Sequence, residues 1–314
     1  MLEIAREAAR HWGLDGADIA LAARRENVVF RVSAPSGDYA LRLHRPGYRS
    51  DAELEAELEW MAVLEAGGLS VPAPLAAGDG HFMVSVAGYQ VDVLGWVPGD
   101  ALGKAGELLG VADRPAFCHA LGAAMARMHD VSDAWERPDG FTRPFWDRPG
   151  LLGEAPLWGR FWEHPHLEPG EKALLEQVRK AADNVLARVE READYGLIHA
   201  DLISENMLWD GTRIFLIDFD DGGLGFRDFE LATFLLRFED ADDYADLRAA
   251  LCEGYAARRS VRADELDLFL LLRALTYPGW IADRLDEPGA AERSQRAIAT
   301  AMRSAWKWLD TYGG

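Results

Sequence analysis

The feature of this sequence that most constrains the fold is a pair of polar motifs that follow one another closely. His199, Asp201 and Asn206 have the spacing H-x-D-x-x-x-x-N, and Asp218 follows within the run Ile-Asp-Phe-Asp. Phosphoryl transfer to a hydroxyl needs such a set, because one aspartate accepts the hydroxyl proton while an asparagine and a second aspartate offer hard oxygen ligands to Mg²⁺. The spacing therefore predicts Asp201 as the catalytic base and Asn206 and Asp218 as magnesium ligands.

Short apolar runs flank these motifs. Residues 195–198 precede the first motif, and residues 214–217 lead into the second. The first run is apolar apart from one Gly, and the second is bounded by the turn residues Asp210 and Gly211, which is typical of short buried strands. The sequence therefore predicts two strands around a polar loop, with the base and both metal ligands at the mouth of one hairpin. An aspartate-rich loop that carries no chemistry is the alternative.

The first motif resembles the catalytic loop of protein kinases, with Asp218 in the place of their D-F-G aspartate. It reads H-A-D rather than H-R-D, and residues 225–232 resemble the G-x-x-x-x-D-L-A segment of aminoglycoside phosphotransferases, with Glu230 where aspartate is usual. The chain is therefore similar to the aminoglycoside phosphotransferase and choline kinase-like family, which includes homoserine kinase-like and bacterial stress-response kinase-like members. The resemblance implies ATP- and magnesium-dependent phosphorylation of a hydroxyl.

The order of the predicted elements favours an α+β class with a bilobal, protein kinase-like fold. At 314 residues, the chain is long enough for two lobes. Residues 1–97 are predicted to form a small antiparallel sheet with one inserted helix at 51–66, and residues 98–314 a mainly helical lobe with the catalytic loop and acceptor site. Pro98 and Gly99 mark the hinge. The predicted strands of the first lobe lie at 27–32, 39–44, 81–86 and 89–93.

The nucleotide-binding residues are predicted by the same resemblance, since the chain has no G-x-G-x-x-G motif. Residues 39–42, Tyr-Ala-Leu-Arg, resemble the V-A-I-K strand of kinases. Ala40 would leave room for adenine, and Arg42 would reach the phosphates where lysine is usual. A plain surface arginine is the alternative. In related enzymes the hinge backbone binds adenine, which here implicates Gly95 and Val97.

The helix at 51–66 offers a partner for Arg42. Glu57 lies within its apolar stripe, and a carboxylate on an inward face needs a cation. Glu57 is therefore predicted to pair with Arg42, as in the strand-to-helix ion pair of kinases. Glu53, at the edge of the stripe, is the alternative partner.

Aromatic residues suggest where the acceptor binds. The segment 133–166 is rich in aromatic residues and proline, and Trp146 within it is a candidate together with Tyr277, Trp280 and Arg284 on later helices. Aromatic faces hold ammonium groups, which favours a small amino-bearing alcohol, whereas Arg284 would suit an acceptor with a carboxylate. Loop aromatics that simply cover a core are the alternative.

Composition limits the possible partners. A net charge of −20 disfavours nucleic acid and anionic membranes, because an acidic surface repels phosphates. The two cysteines, Cys118 and Cys252, lie within helical apolar patterns and indicate neither a disulfide framework nor a zinc site. No targeting segment or membrane span is evident, so a cytoplasmic location is expected.

Together these features predict an ATP- and Mg²⁺-dependent phosphotransferase that acts on a small-molecule hydroxyl such as that of an aminoglycoside, choline or homoserine. A bacterial Ser/Thr protein kinase of the same family and a catalytically silent nucleotide-binding protein are the alternatives. Retention of all three motif residues argues against the silent protein. The choice of ATP over GTP, the acceptor and the oligomeric state stay open at this stage.

Overall fold

The computed structural model describes residues 1–24, 27–104 and 106–312, without the side chains of residues 263 and 264. The chain forms two compact units. The first unit comprises Met1–Leu102, Asp130–Arg143 and Glu205–Asp220, and the second comprises Gly103–His129, Pro144–Ser204 and Asp221–Gly314. The predicted lobes 1–97 and 98–314, which are continuous stretches, stay a prediction.

The described residues form both helices and strands. The elements of the first half are α1 (Leu2–Ala9), β1 (Asp18–Arg24), β2 (Val28–Ala34), β3 (Gly37–Leu43), α2 (Asp51–Ala66), β4 (Met83–Val86), β5 (Tyr89–Gly95), β6 (Asp100–Ala101), α3 (Arg114–Ala134), β7 (Phe145–Trp146) and α4 (Arg148–Leu152). The second half contains α5 (Pro169–Val189), β8 (Tyr195–Ile198), β9 (Met207–Trp209), β10 (Ile214–Leu216), β11 (Gly223–Phe226), α6 (Arg227–Leu235), α7 (Tyr244–Ala256), α8 (Ala263–Ala282) and α9 (Ala290–Tyr312).

The first unit is built on an antiparallel sheet with the strand order β1-β2-β3-β5-β4. The predicted hairpin is confirmed as β2 and β3, which pair from Ala34↔Gly37 to Val28↔Leu43. Alternate residues of these strands point into the core, where Val32 and Leu41 are fully buried. The strand β1 was not predicted, because nearly all of its residues are exposed and it therefore lacks the alternation of a half-buried strand.

Helix α2 confirms the predicted range and orientation. Ser50 caps its first turn by accepting the Glu53 N–H, and the Glu53 side chain bonds back to the Ser50 N–H in a capping box. The predicted apolar stripe is buried, and Glu57 is buried with it. Because Glu53 serves the cap, the carboxylate that faces inward is that of Glu57.

One part of the predicted topology is wrong. Strand β8, which precedes the catalytic loop, pairs with β11 and belongs to the second unit. Strand β10 instead pairs with β9, immediately after the loop, in the first unit. The hairpin thus carries Asn206 and Asp218 at its open end, while Asp201 follows a strand of a different sheet. The strand β9 was missed because it is three residues long and directly follows a polar loop.

The second unit is mainly helical and confirms the predicted helices. The predicted ranges 116–130, 171–191, 265–277 and 291–312 correspond to α3, α5, α8 and α9. Helix α6 is buried along its whole length and packs against α8 and β8. The order of a small sheet followed by helices confirms the α+β class. None of the described helices combines the length and the apolarity that crossing a membrane requires.

Candidate active site

In the first unit, Arg42 lies within a group of buried carboxylates. Its Nε and Nη2 atoms donate to both oxygens of Asp92 at 2.8 Å, and Nη2 also donates to Glu57 Oε1 at 3.1 Å. The predicted contact between Arg42 and Glu57 is therefore present, and the alternative of a plain surface arginine is wrong, because the side chain is 8% exposed. Burial by itself lowers the pKa of Arg42, but the attraction of Asp92 and Glu57 raises it well above the ordinary value.

Asp92 was not foreseen as the main partner of Arg42. The two residues are directly opposite one another on β3 and β5, where opposite charges attract across a sheet. His44 Nε2 also contacts Asp92 Oδ2, at 2.6 Å. Burial by itself raises the pKa of Asp92, yet Arg42 and His44 lower it well below its usual range. Asp92 is therefore a fixed anion that holds the guanidinium in place.

The predicted metal ligands, Asn206 and Asp218, lie at the open end of the β9–β10 hairpin. The Ile217 N–H donates to the Asn206 carbonyl at 3.0 Å, which extends the pairing by one residue and places Asp218 directly after it. Asp218 has a left-handed backbone, with φ of +67°, which is costly for a residue with a side chain and concentrates at functional sites. The described residues contain no group of three or more His, Cys, Asp or Glu that could hold a metal. One amide and one carboxylate fit Mg²⁺, which takes its other ligands from water and phosphates.

Asp220, two residues further on, was also missed. Its Oδ2 accepts from the Asn27 amide at 2.8 Å, and its Oδ1 lies 3.6 Å from Arg42 Nη1. Burial and the nearby Glu57 carboxylate raise the pKa of Asp220 above its ordinary value. The second aspartate of the run Ile-Asp-Phe-Asp therefore lies near Arg42.

The predicted adenine residues lie along β3 and the end of β5. Ala40 is half-buried and pairs with Leu94. The Gly95 N–H donates to the Ala73 carbonyl at 2.8 Å, so this donor is used within the protein. Gly95 and Val97 line a cleft of about 380 Å³ together with the loop after α2 and Phe215. The roles of these three residues stay a prediction.

In the second unit, two buried side chains hold the catalytic loop. Glu230 of α6 accepts hydrogen bonds from the backbone N–H groups of His199 and Ala200. Arg273 of α8 donates to Asp201 Oδ1 at 2.6 Å and to the Ala200 carbonyl at 3.2 Å. Ala200, like Asp218, has a left-handed backbone, with φ of +66°. The residue before the predicted base is thus fixed through both of its main-chain polar groups.

Aromatic rings surround the Arg273 guanidinium. The centroids of the Trp158, Tyr277 and Phe229 rings lie 4.5, 5.0 and 5.7 Å from its central carbon. Arg273 is fully buried, and burial lowers its pKa, although Asp201 opposes that effect. An arginine in the middle of an apolar helix gave no functional signal in the sequence, and its spacing from Asp201 is too long for any local motif.

The structure brings the predicted acceptor residues into one aromatic cluster. Trp158 packs against Trp146, Tyr277 and Trp280 with ring centroids 5.3 to 6.1 Å apart. Trp146 itself is buried and stacked on Phe229, as a core residue is. Arg284 lies over Trp280 at 4.1 Å. We name Trp146, Trp158, Tyr277 and Trp280 the aromatic cluster.

Comparison with known proteins shows the family to which this chain belongs. Residues 19–263 match the phosphotransferase enzyme family of the aminoglycoside phosphotransferase type, and the chain belongs to that family. The solved structure of a microcompartment-associated aminopropanol kinase shares 29% identity and a TM-score of 0.81, over 99% of this chain and 98% of the other. A homoserine kinase from Sinorhizobium medicae is 27% identical over 79% of this chain and 72% of its own length. An amicoumacin kinase from Bacillus subtilis is 26% identical over 70% of this chain and 63% of its own.

These findings confirm the predicted class and fold. The chain is a kinase-type phosphotransferase that acts on the hydroxyl of a small molecule, and its fold is the protein kinase-like fold of this family. Membership in a kinase family also brings with it a nucleotide donor and a divalent cation.

Proposed function

We propose that this enzyme transfers the γ-phosphate of ATP, with Mg²⁺, to the hydroxyl of a small amino alcohol. The aromatic cluster is the observation that supports this acceptor class, because two of its rings, Trp158 and Tyr277, lie against Arg273, the partner of the proposed base Asp201. Aromatic faces attract ammonium groups, and the acidic chain concentrates cationic ligands around it. Two of the relatives described above are named for amino alcohols, aminopropanol and homoserine.

In the proposed reaction, the acceptor oxygen forms a bond to the γ-phosphorus as the bond to the β,γ-bridging oxygen breaks. The carboxylate of Asp201 accepts the hydroxyl proton. Arg273 holds one oxygen of that carboxylate and so fixes its orientation. Asn206 and Asp218 would hold Mg²⁺, whose positive charge would offset that of the phosphates. Arg42 is the cation proposed to face the phosphates, and its contacts with Asp92 and Glu57 keep it in one rotamer.

A second candidate is an amino alcohol that also bears a carboxylate. Guanidinium groups already lie on rings of the aromatic cluster, since Arg237 and Arg273 lie on Tyr277 and Arg284 lies on Trp280. Their positive charge disfavours an isolated ammonium group and favours a carboxylate beside it. The acceptor would then be an amino-acid alcohol.

An acceptor panel distinguishes these candidates. Initial rates should be measured with ATP and Mg²⁺ against 1-aminopropan-2-ol, choline, homoserine and an aminoglycoside, for the wild type and Arg284→Ala. Turnover of the amino alcohols would support the proposal, and a loss confined to homoserine in Arg284→Ala would place Arg284 beside a carboxylate. No turnover of any of the four, together with phosphorylation of serine in a protein, would replace the small-molecule acceptor by a protein.

A further inference from the structure

Arg143 is a fully buried arginine of the first unit that the proposed reaction does not use. Its Nη1 donates to the Glu53 carbonyl at 3.0 Å and to Glu57 Oε2 at 3.2 Å. Its Nη2 donates to the carbonyls of Phe219 and Asp220 at 2.6 and 2.9 Å. One guanidinium thus connects helix α2 to the two residues that directly follow Asp218.

A charged side chain in this position is costly unless its surroundings compensate it. Burial lowers the pKa of Arg143, and Glu57 is the main group that opposes this effect. An apolar residue of similar volume would pack here without that cost, because buried ion pairs are weak sources of stability. The contacts of Arg143 with two main-chain carbonyls therefore point to a role in fixing the backbone.

The backbone next to these carbonyls is strained. Asp218 has the left-handed φ of +67°, and such a conformation persists only where the surroundings hold it. The carbonyls bound by Arg143 belong to the next two residues of the chain, Phe219 and Asp220. These carbonyls belong to the peptide groups 219–220 and 220–221, so fixing them limits the paths that the chain can take directly after Asp218.

We propose that Arg143 is a positioning residue that preorganises Asp218 for the metal ion, an inference that rests on the proposed metal-dependent function. Glu57 links Arg143 to Arg42. One of its oxygens accepts from Arg42 and the other from Arg143. The Glu57 carboxylate therefore contacts two arginines. One is Arg42, which is proposed to face the phosphates, and the other is Arg143, which holds the backbone directly after Asp218.

The test measures metal binding rather than turnover. Binding of Mn²⁺ to the protein should be followed by electron paramagnetic resonance in the presence of the non-hydrolysable nucleotide AMP-PNP, for the wild type, Arg143→Met and Arg143→Lys. Binding of AMP-PNP without metal should be measured in parallel by calorimetry. Arg148→Met is a matched control, because Arg148 pairs with two carboxylates at a half-buried site of the second unit.

We expect the Kd for Mn²⁺ to rise about 10- to 100-fold in Arg143→Met, which is typical for loss of a group that orients a metal ligand. Binding of metal-free AMP-PNP should change less than about threefold, and Arg148→Met should match the wild type in both assays. Arg143→Lys keeps the charge but cannot reach two carbonyls with a planar fork, so its Mn²⁺ affinity should also fall.

Equal losses with and without metal in both Arg143 variants would overturn the inference, since they would show a general effect on the fold. Wild-type Mn²⁺ affinity in Arg143→Lys or Arg143→Met would overturn it as well. A wild-type protein that binds no Mn²⁺ with AMP-PNP would instead refute the metal-dependent function itself. The Lys variant keeps the test decisive if the Met variant does not fold.

Discussion

Two buried arginines, Arg42 in the first unit and Arg273 in the second, have opposite surroundings. Arg42 contacts the carboxylates of Asp92 and Glu57, and their charge raises its pKa well above the ordinary value. Arg273 contacts the carboxylate of Asp201 but is otherwise enclosed by aromatic rings, and burial lowers its pKa. The first unit thus holds its functional groups through a network of charges, whereas the second relies on apolar packing around one ion pair.

The difference shows how each unit keeps its groups in place. In the first unit, Glu57 and Asp92 both contact Arg42. Each carboxylate also has a second partner, which is Arg143 for Glu57 and the imidazole of His44 for Asp92. In the second unit, the carboxylate of Asp201 balances the Arg273 charge and is also the proposed base. A change at Asp201 should therefore affect folding and turnover together.

The largest expected effect is that of Asp201→Asn. We expect kcat to fall by about 10²- to 10⁴-fold, because the general base is lost, while the Kd for MgATP stays close to that of the wild type. Stopped assays and calorimetry measure the two quantities. Thermal unfolding should also show a lower Tm, since Arg273 loses its anionic partner. A variant that keeps more than about a tenth of the wild-type kcat would exclude Asp201 as the base.

Asp218→Ala and Asn206→Ala test the metal ligands proposed in the first unit. We expect the affinity for MgATP to fall by at least about tenfold, because both side chains touch the nucleotide through the metal. The affinity for ATP in the presence of a chelator should change little. Calorimetry with and without Mg²⁺ gives both values, and equal losses in the two conditions would mean that neither residue is a metal ligand.

Matched substitutions of the two arginines test the comparison directly. Arg42→Met leaves Asp92 and Glu57 buried without the guanidinium that both contact, and should lower the free energy of unfolding by about 3–5 kcal/mol. Arg273→Met leaves the carboxylate of Asp201, which is partly exposed, and should cost less stability.

For Arg273→Met, the main effect should be on kcat, by up to about 10²-fold, because the base loses its fixed orientation. Urea denaturation and steady-state kinetics on both variants provide the comparison. A larger loss of stability in Arg273→Met than in Arg42→Met would contradict the contrast between the two units.

The smallest expected effect concerns pH. Burial raises the pKa of Glu230 to about 7, so the folded state binds a proton that the unfolded state releases near pH 4. Stability is therefore greatest below about pH 4 for this group and falls as the pH rises toward 7, by up to about 3 kcal/mol. Glu230→Gln should flatten this slope in urea titrations between those two values.

Asp228→Asn is the control for that experiment, since burial also raises the pKa of Asp228 to about 7, with the nearby carboxylates of Glu265 and Asp194 adding to the effect. Both variants should flatten the pH slope, and the variant at Glu230 alone should lower kcat. An unchanged kcat in Glu230→Gln would show that the loop keeps its conformation without these two bonds.

The sequence predicted contacts that depend on one element and missed those that depend on register. Glu57 could be assigned to Arg42 because its position in the apolar stripe of α2 requires a cation. Asp92 could not, because its place opposite Arg42 follows from the pairing of β3 with β5, about fifty residues apart in the chain. The register of two paired strands can be read from the sequence only where a short turn joins them, and β3 and β5 are separated by α2 and β4.

The buried arginines were missed for another reason. Arginine is mostly exposed in proteins and is almost never fully buried unless it is paired. Arg143 and Arg273 therefore look like surface residues in the sequence, because the groups that they contact lie far away in the chain. The error in the hairpin at the catalytic loop has a similar origin. The strand β9 is too short to produce a periodic signal, so the pairing was assigned to the more visible apolar run before the loop.

The left-handed backbone at Asp218 has a consequence for how this protein can change over generations. Glycine would adopt that conformation without the roughly 1–2 kcal/mol that a side chain costs there, but it would bring no carboxylate. Variants selected for heat resistance alone would therefore drift toward losing the proposed metal ligand. The role proposed for Asp218 thus sets catalytic demand against the stability of the fold at this position.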